Sequence, residues 1–394
     1  MEWKLANKRD DGSVTIPVEW LHLHYYEALN VLFRMENTLR VFVYIVLKNS
    51  YDNNWLDVHL QTSEGDDGTI ASVAAKRKAQ ADGFGYLGSP ISSPLMYLNS
   101  GELIRLITSD THWQHFKGFF RGKKEVIRTK LDEIGTVRNS LAHYRPITQD
   151  DVDLIKQNIR HTFIGIEECI VDITTTGNVV PTNSTQDWYT LLVTKGTDLC
   201  TIRLFQSKNE KWIRLAIVYK CPVFKSNSSD TYIWARALTI DSASILKTFS
   251  VLADNSTYMT EQLSGTVHES KLVFRKTISL TISRAKIEKN YKQLSEEVEK
   301  LLALIQSESE LILKDNLADG KLVHTAAQVS GHKIVGKDYS YWATDEDRLG
   351  TPVQPDDRPE YWGTLGLYET EFVTSANRYP WMPLDVSQPS EIPF

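Results

Sequence analysis

The sequence of 394 residues has few cysteines, no long apolar run and no excess of positive charge. Its three cysteines, Cys169, Cys200 and Cys221, are scattered and form no CxxC pair. This excludes a disulfide framework and a cysteine-based zinc site. The longest apolar run, 41–47, is too short to cross a bilayer, and the N-terminus does not resemble a cleaved signal. A formal net charge of −6 creates no overall field that attracts polyanions. We therefore expect a cytoplasmic protein with no membrane partner.

Three regions differ in composition and periodicity. Residues 1–174 carry helical patterns with an insertion near 61–95, and residues 175–336 carry short alternating patterns and one long helix at 285–317. Residues 337–394 are acidic, aromatic and rich in proline. These patterns predict a multidomain α+β fold, with a helical bundle, then a mainly antiparallel sheet domain with its long helix, then an extended tail.

The segment 123–143 has a regular helical pattern. Its apolar residues recur at spacings of three and four, which describes one buried face. They are Val126, Ile127, Leu131, Ile134, Val137, Leu141 and Ala142. Pro146 disfavours helical geometry in the residue before it, so the helix should end near His143. The spacing of Thr148 and Asp151 predicts that a second helix begins there.

Arg138 and His143 stand five residues apart at the end of this helix. Arginine is a permanent cation that binds phosphate through two hydrogen bonds, and histidine exchanges protons near neutral pH. At about 100° per residue, the two lie about 140° apart on a straight helix. They converge only if the helix frays or if a second chain supplies the facing pair. The alternative is structural, with Arg138 a solvated helix residue and His143 a C-terminal cap that interacts with the helix dipole.

Glu36 is a further candidate site residue. Residues 18–50 have the pattern of one long helix, and Glu36 lies on or beside its predicted core stripe. That stripe consists of Leu29, Leu32, Phe33, Leu39, Phe42, Val43 and Val46. A carboxylate near a core requires a partner. Two roles remain open: a structural ion pair with an arginine, or a site residue that orients Arg138 or His143.

Basic residues are concentrated before the motif. Six of them fall within fourteen positions, namely Lys117, Arg121, Lys123, Lys124, Arg128 and Lys130. Such a cluster could guide a phosphate backbone toward Arg138. Phe119, Phe120 and Tyr144 are close enough in sequence to stack on bases. The alternative is an ordinary solvated helix face.

A second basic group, Lys76, Arg77 and Lys78, lies in the insertion. Residues 61–94 are rich in glycine, serine and aspartate, which predicts a flexible, solvated loop. Contact of this loop with RNA is the alternative.

The region from about Leu21 to Thr174 resembles the RNase-type HEPN superfamily (higher eukaryotes and prokaryotes nucleotide-binding). The signature of that superfamily is an arginine, a polar residue, three further residues and a histidine. Here it is Arg138-Asn139-Ser140-Leu141-Ala142-His143. The acidic residue one turn before an arginine in the first helix is matched by Glu36-Asn37-Thr38-Leu39-Arg40, and the aromatic after that helix by Tyr51 and Trp55.

The resemblance implies a helical bundle that forms a homodimer through the motif helices. It also implies metal-independent cleavage of RNA, with no metal and no cofactor. Arg138 would hold the phosphate, His143 would be the general acid or base, and Asn139 would position the reacting groups, with Glu36 and Tyr144 in support. One toxin branch is silenced by nucleotide transfer to a tyrosine two residues after the histidine. Here Arg145 occupies that position, which argues against that branch.

The second region contains five alternating segments that predict strands, 188–193, 200–205, 212–219, 232–240 and 271–282. None of them carries a glycine-rich phosphate loop, paired catalytic carboxylates or a metal-ligand cluster. The alternation within 212–217 predicts a sheet with one exposed face.

The third region begins with the long helix, whose apolar seam could pack on the sheet or pair with a second copy. We expect the acidic aromatic tail, 337–394, to lie extended over its own domain or over a regulatory protein partner. The tail could also cover a basic RNA groove and restrain the site.

The leading hypothesis from the sequence is an endoribonuclease that cleaves RNA through attack of the ribose 2′-hydroxyl. It would be the toxic effector of a phage-defence or stress-response system. The main alternative is a non-catalytic HEPN-like module that binds a protein or a nucleotide. An enzyme with its chemistry in the sheet domain ranks last, because no constellation of residues there supports it.

Overall fold

The computed structural model describes residues 7–15, 23–61, 67–84, 93–175, 185–268, 271–315, 323–335, 340–346, 357–363 and 370–375. Within these ranges the chain has a helical N-terminal region followed by antiparallel sheets, so the predicted α+β class is confirmed at that level. No described helix is both long and apolar enough to cross a membrane.

The described residues of the N-terminal region form seven α-helices. They are α1 (Leu23–Tyr51), α2 (Ile70–Phe84), α3 (Ser100–Thr108), α4 (Trp113–Phe116), α5 (Lys124–Ala142), α6 (Gln149–Thr162) and α7 (Ile164–Thr174). Two short hairpins accompany them, β1 (Asn7–Lys8) with β2 (Val14–Thr15), and β3 (His59–Gln61) with β4 (Asp67–Thr69). Helix α1 lies at the centre of the bundle, because it packs against α3, α4, α5, α6 and α7.

The predicted core stripe of α1 is partly wrong. Leu29 and Phe33 are exposed, whereas Val31 and Met35 are buried in their place. Leu29 and Val31, like Phe33 and Met35, are two residues apart, so the two sets lie about 200° apart on nearly opposite faces of the helix. Each set recurs with a spacing of four residues, so the period alone could not choose between them. The remainder of the predicted stripe, which is Leu32 and the residues from Leu39 onward, is buried.

Helix α5 begins and ends within a residue of the predicted positions. Its buried face is the predicted one, except that Val126 and Ala142 are exposed because they lie near the two ends of the helix. Helix α6 opens with a capping box in which Thr148 and Asp151 satisfy each other's backbone N–H groups, as predicted.

The prediction of a flexible loop at 61–94 is wrong for residues 67–84, which form β4 and α2. The guanidinium of Arg77 donates to both carboxylate oxygens of Glu102, which is fully buried, and to the carbonyl oxygen of Tyr97 at 2.6 Å. Arg77 is therefore an anchor for this helix and not part of a solvated basic group. Residues 62–66 and 85–92 lie outside the described ranges.

In the second region, the residues that the structure describes form two four-stranded antiparallel sheets. The first has the order β5 (Cys200–Gln206), β6 (Trp212–Lys220), β10 (Lys271–Ser283), β9 (Ser256–His268), and the second has the order β12 (Ser340–Glu346), β11 (Val323–Val335), β8 (Tyr232–Ile240), β7 (Val223–Ser228). Four helices accompany the sheets, namely α8 (Asp187–Val193), α9 (Ser242–Thr248), α10 (Ser250–Asn255) and α11 (Arg284–Asp315). The strand predicted at 188–193 is wrong, because this segment is helix α8, which buries Trp188 and Leu192 one turn apart.

The prediction of a half-exposed sheet at 212–217 is also wrong. Both faces of β6 are largely covered, and Trp212 belongs to the core of the helical region while Ile213 belongs to the core of the sheets. The apolar seam of α11 packs into the sheet core through Ile287, Leu294 and Val298. Of the two roles considered for that seam, packing on the sheet is the one observed.

Two described segments of the C-terminal tail are docked on the chain's own surface. Residues 360–363 run parallel to β9, where Met259 N–H donates to the Glu360 carbonyl at 2.7 Å and Trp362 N–H donates to the Met259 carbonyl at 2.9 Å. Residues 370–375 insert Phe372 and Val373 into the helical core. These segments contact the chain's own surface, which is one of the two options considered for the tail, but their residues are mainly turns. Residues 337–339, 347–356, 364–369 and 376–394 lie outside the described ranges.

Candidate functional site

The end of α5 carries the predicted motif. The helix stops at Ala142 and His143 forms its C-cap, with the His143 N–H donating to the Asn139 carbonyl at 3.2 Å. Tyr144 then adopts a left-handed backbone with φ 55°. Its N–H donates to the Leu141 carbonyl at 3.0 Å, and the Arg145 N–H donates to the Ser140 carbonyl at 2.8 Å. These two bonds are the Schellman pattern of a helix C-terminus.

Arg138 and His143 project from different sides of α5. The helix is regular through Ala142, so their directions differ by about 140°. Arg138 is half-buried beside the buried face that holds Val137 and Leu141, whereas His143 and Asn139 are exposed. One chain therefore presents the motif side chains near each other along the helix, but it does not bring them onto one face.

No described residue forms a hydrogen bond or an ion pair with the side chains of Arg138, Asn139 or His143. Both polar side chains at the helix end, and the guanidinium beside them, are thus available to a ligand. Arg138 can bind an anion, and His143 can exchange a proton. One chain therefore supplies a proton-exchanging group for one side of a phosphate, but not for both sides.

Glu36 forms an ion pair with Arg40, one turn later on α1. Arg40 in turn donates to the carbonyl oxygens of Leu95 at 3.2 Å and Leu98 at 3.0 Å. Glu36 therefore helps to hold the segment that leads into α3, which is the structural role left open by the sequence. Within the described ranges no contact links Glu36 to the motif.

The six basic residues before the motif are partly neutralised. Lys124 pairs with Asp110, Arg121 lies 3.5 Å from Glu168, and the Arg128 guanidinium lies 3.6 Å from the Asp132 carboxylate. Lys117 and Lys123 are exposed and Lys130 is half-buried, and these three have no ion-pair partner in the described part of the chain. The sequence pattern of six basic residues within fourteen positions could not show the carboxylates of Asp110, which precedes α4, and Glu168, which lies on α7.

Most of this basic cluster lies at the opposite end of α5 from the motif. Fourteen residues separate Lys124 from Arg138, which corresponds to about 21 Å at 1.5 Å per residue. Phe120 is buried and stacks on Trp113 with ring centroids 5.6 Å apart, and Phe119 packs on Phe42. Of the three aromatic residues expected to stack on bases, Tyr144 is the one with an exposed ring.

Sequence reasoning missed a cluster of two histidines and a tyrosine. The Tyr51 hydroxyl lies 3.1 Å from Nδ1 of His112 and 3.2 Å from Nε2 of His115. Burial lowers the pKa of His112, while its contact with the His59 carbonyl acts in the opposite direction. The pair of histidines three residues apart was a signal in the sequence. Tyr51 stood out there only as an aromatic residue after the first helix, with nothing to link it to the histidines.

A cavity of about 300 Å³ lies beside this cluster, between α1, α4, α7 and the turn before β6. Its polar lining includes Asn49, His115, Glu168, Asp172 and Lys211. None of the motif residues lines it, so it is separate from the candidate site. Within the described residues, no group of three or more histidine, cysteine, aspartate or glutamate side chains is placed to hold a metal ion.

Comparisons of the chain with protein-family profiles, with curated proteins and with solved structures found no match.

Proposed function

We propose that this protein is a metal-independent endoribonuclease whose active groups are Arg138, Asn139 and His143. The observation that carries the proposal concerns Arg138, a half-buried residue with no anionic partner among the described residues. It stands five residues, about one and a half helical turns, from the exposed His143. A partly desolvated cation is stabilised when an anion binds it. A phosphodiester is such an anion and accepts two parallel hydrogen bonds from guanidinium. The resemblance of the helical region to HEPN ribonucleases supports the same assignment.

The proposed reaction is transesterification within RNA. The 2′-hydroxyl loses its proton to a histidine as its oxygen bonds to the adjacent phosphorus. The bond from phosphorus to the 5′-oxygen breaks, and that oxygen receives a proton from a second acid. The products are a 2′,3′-cyclic phosphate and a 5′-hydroxyl. Arg138 stabilises the charge that grows on the phosphoryl oxygens, a contribution of about 3–4 kcal/mol when a comparable donor is removed, and Asn139 holds the reacting groups by hydrogen bonding.

A homodimer through the α5 surfaces supplies the second acid in this proposal. One chain presents a single His143 and places it about 140° from Arg138. Two copies that face each other would put one histidine on the nucleophile side of the phosphate and the other on the leaving-group side. In the cell, such an activity would make the protein a cytoplasmic toxic effector of phage defence or of a stress response.

The test is cleavage of a fluorescent single-stranded RNA in the presence of EDTA. Arg138→Ala and His143→Ala should each lose about 10²-fold or more of the activity. Arg160 and His161 are exposed on α6, so Arg160→Ala and His161→Ala are matched controls that should cleave like the parent protein. DNA of the same sequence should remain intact, because it lacks the nucleophile. Full activity of both motif variants would remove the assignment.

A second candidate function is a non-catalytic binding module, and one observation favours it. Tyr26, Leu29 and Phe33 form an exposed apolar stripe at helical spacing on α1, which is suited to a protein partner. Under this alternative the motif variants would bind that partner normally, and RNA would stay intact with every variant.

A further inference from the structure

The left-handed backbone of Tyr144 is unusual for an aromatic residue. At this position of a Schellman motif, glycine is the usual residue because it has no Cβ to clash. A side chain there costs about 1–2 kcal/mol. Four non-glycine residues in the described ranges have positive φ, namely Asp52, Tyr144, Glu210 and Glu371.

The other three of these residues make contacts with distant parts of the chain. The Asp52 carboxylate lies 2.8 Å from Lys286, and the Glu210 carboxylate lies 3.0 Å from Arg284. The backbone N–H of Glu371 donates to Glu167 at 2.8 Å. Tyr144 differs, because its side chain is 85% exposed and makes no ring contact or hydrogen bond with any described residue.

The position of this ring suits a nucleotide. Tyr144 directly follows His143, and the Cα atoms of neighbouring residues are about 3.8 Å apart. Arg145, which is also exposed, follows the ring. In the proposed dimer, a phosphate held between Arg138 of one chain and His143 of the other would place the base of a flanking nucleotide within reach of the ring that follows this histidine. The cationic Arg145 lies beyond that ring.

We propose that Tyr144 is a stacking platform for an unpaired base next to the scissile phosphate, so that the substrate is single-stranded RNA. This inference rests on the proposed function and names its substrate class. A base within a duplex has both faces covered by its neighbours, whereas a splayed base offers a free face to an aromatic side chain. Tyr144 has a left-handed backbone, and its ring is exposed to solvent instead of packing on the protein.

The test measures RNA binding separately from RNA cleavage, and it distinguishes an effect on stability from an effect on function. The probe is a fluorescein-labelled single-stranded RNA in which every 2′-hydroxyl is methylated, so that no nucleophile remains, and its binding is measured by fluorescence anisotropy. Tyr144→Gly should weaken binding by about 5- to 150-fold, the equivalent of one lost stack, and should raise the melting temperature because the strain is relieved. Tyr144→Phe and Tyr144→Trp should bind like the parent protein. Tyr341→Ala, which removes another exposed tyrosine from β12, should change nothing.

The results that would overturn this inference are different from those that would overturn the proposed function. If Tyr144→Gly binds the probe as tightly as the parent protein, and the parent still cleaves RNA with Arg138 and His143, only the stacking role is lost. If the parent neither binds the probe nor cleaves RNA, the proposed function falls with it. If Tyr144→Gly instead lowers the mass of an oligomer in sedimentation and leaves probe binding intact, the ring is a protein contact and the inference is overturned.

Discussion

The ammonium of Lys48 lies 2.6 Å from the carboxylate of Glu360, and both side chains are buried. The pair joins the end of α1 to a tail segment 312 residues later in the chain. Lys48 also donates to the Asn53 side chain at 3.0 Å, and Arg358 donates to the second oxygen of Glu360 at 3.2 Å. Burial lowers the pKa of Lys48, and the charge of Glu360 opposes that shift. The tail is therefore an integral part of the fold at this point.

The first prediction concerns this ion pair. Lys48→Met should lower the free energy of unfolding by about 3–5 kcal/mol, because it leaves Glu360 buried with a weaker counter-charge. The double variant Lys48→Met, Glu360→Gln should recover part of that loss, since no uncompensated buried carboxylate remains. Urea unfolding followed by far-UV circular dichroism measures both. Lys195→Met, at the partly exposed pair with Glu299, is the control and should cost at most about 1 kcal/mol. Equal effects of Lys48→Met and Lys195→Met would contradict the prediction.

The second prediction compares two helical glycines. A Cβ on Gly165 of α7 would stand 2.0 Å from the carbonyl oxygen of Phe119, whereas a Cβ on Gly135 of α5 would meet no atom within 4 Å. Alanine is favoured over glycine inside a helix by about 1 kcal/mol. Gly135→Ala should therefore raise the free energy of unfolding by about that amount. Gly165→Ala should lower it by about 1–3 kcal/mol through overpacking. Thermal melts of the two variants test both expected changes in stability. A Gly165→Ala variant that is more stable than the parent would contradict the prediction, because it would show that α7 and Phe119 separate freely.

The sequence predicted helices α5 and α11 well because their signals are local. An apolar period, a proline beyond the end and a capping box can all be recognised within one segment. Helix α2 could not be found in this way. Its segment is rich in small and polar residues, and one of its anchors is the contact between Arg77 and Glu102, twenty-five residues apart. The parallel pairing of residues 360–363 with β9 depends on an even longer separation.

The candidate site shows the same limit. The residues of the motif and the end of their helix were predictable, because both depend on short-range pattern. The charge around them was not, since Asp110 and Glu168 approach the basic residues only through tertiary packing. The left-handed conformation of Tyr144 was also hidden, because a tyrosine carries no signal for that backbone region.

The third prediction concerns pH. Burial lowers the pKa of His112 from its ordinary 6.5, so the folded state favours the neutral ring. Its contribution to stability is fully present above that value and is lost as the pH falls through 6.5 toward the lower folded pKa. The parent protein should lose stability between about pH 7.5 and about pH 5.5, and His112→Gln should lose less over the same interval. Melting temperatures measured across that range give the dependence of stability on pH for each protein. Identical dependence in the parent and in His112→Gln would rule out His112 as the cause of the loss.

The last prediction decides between the two roles of Glu36. Its ion pair with Arg40 favours a structural role, and a structural pair should show itself as a coupling in stability. In a double-mutant cycle of Glu36→Gln and Arg40→Met, the effects on the free energy of unfolding should be non-additive by about 1 kcal/mol. Arg40→Met should be the more damaging single change, because the carbonyl oxygens of Leu95 and Leu98 lose their donor. RNA cleavage per folded molecule should stay near the parent value in Glu36→Gln. A large loss of cleavage with unchanged stability would instead mean that Glu36 orients Arg138 or His143, through a contact formed only in an assembled oligomer or with RNA bound.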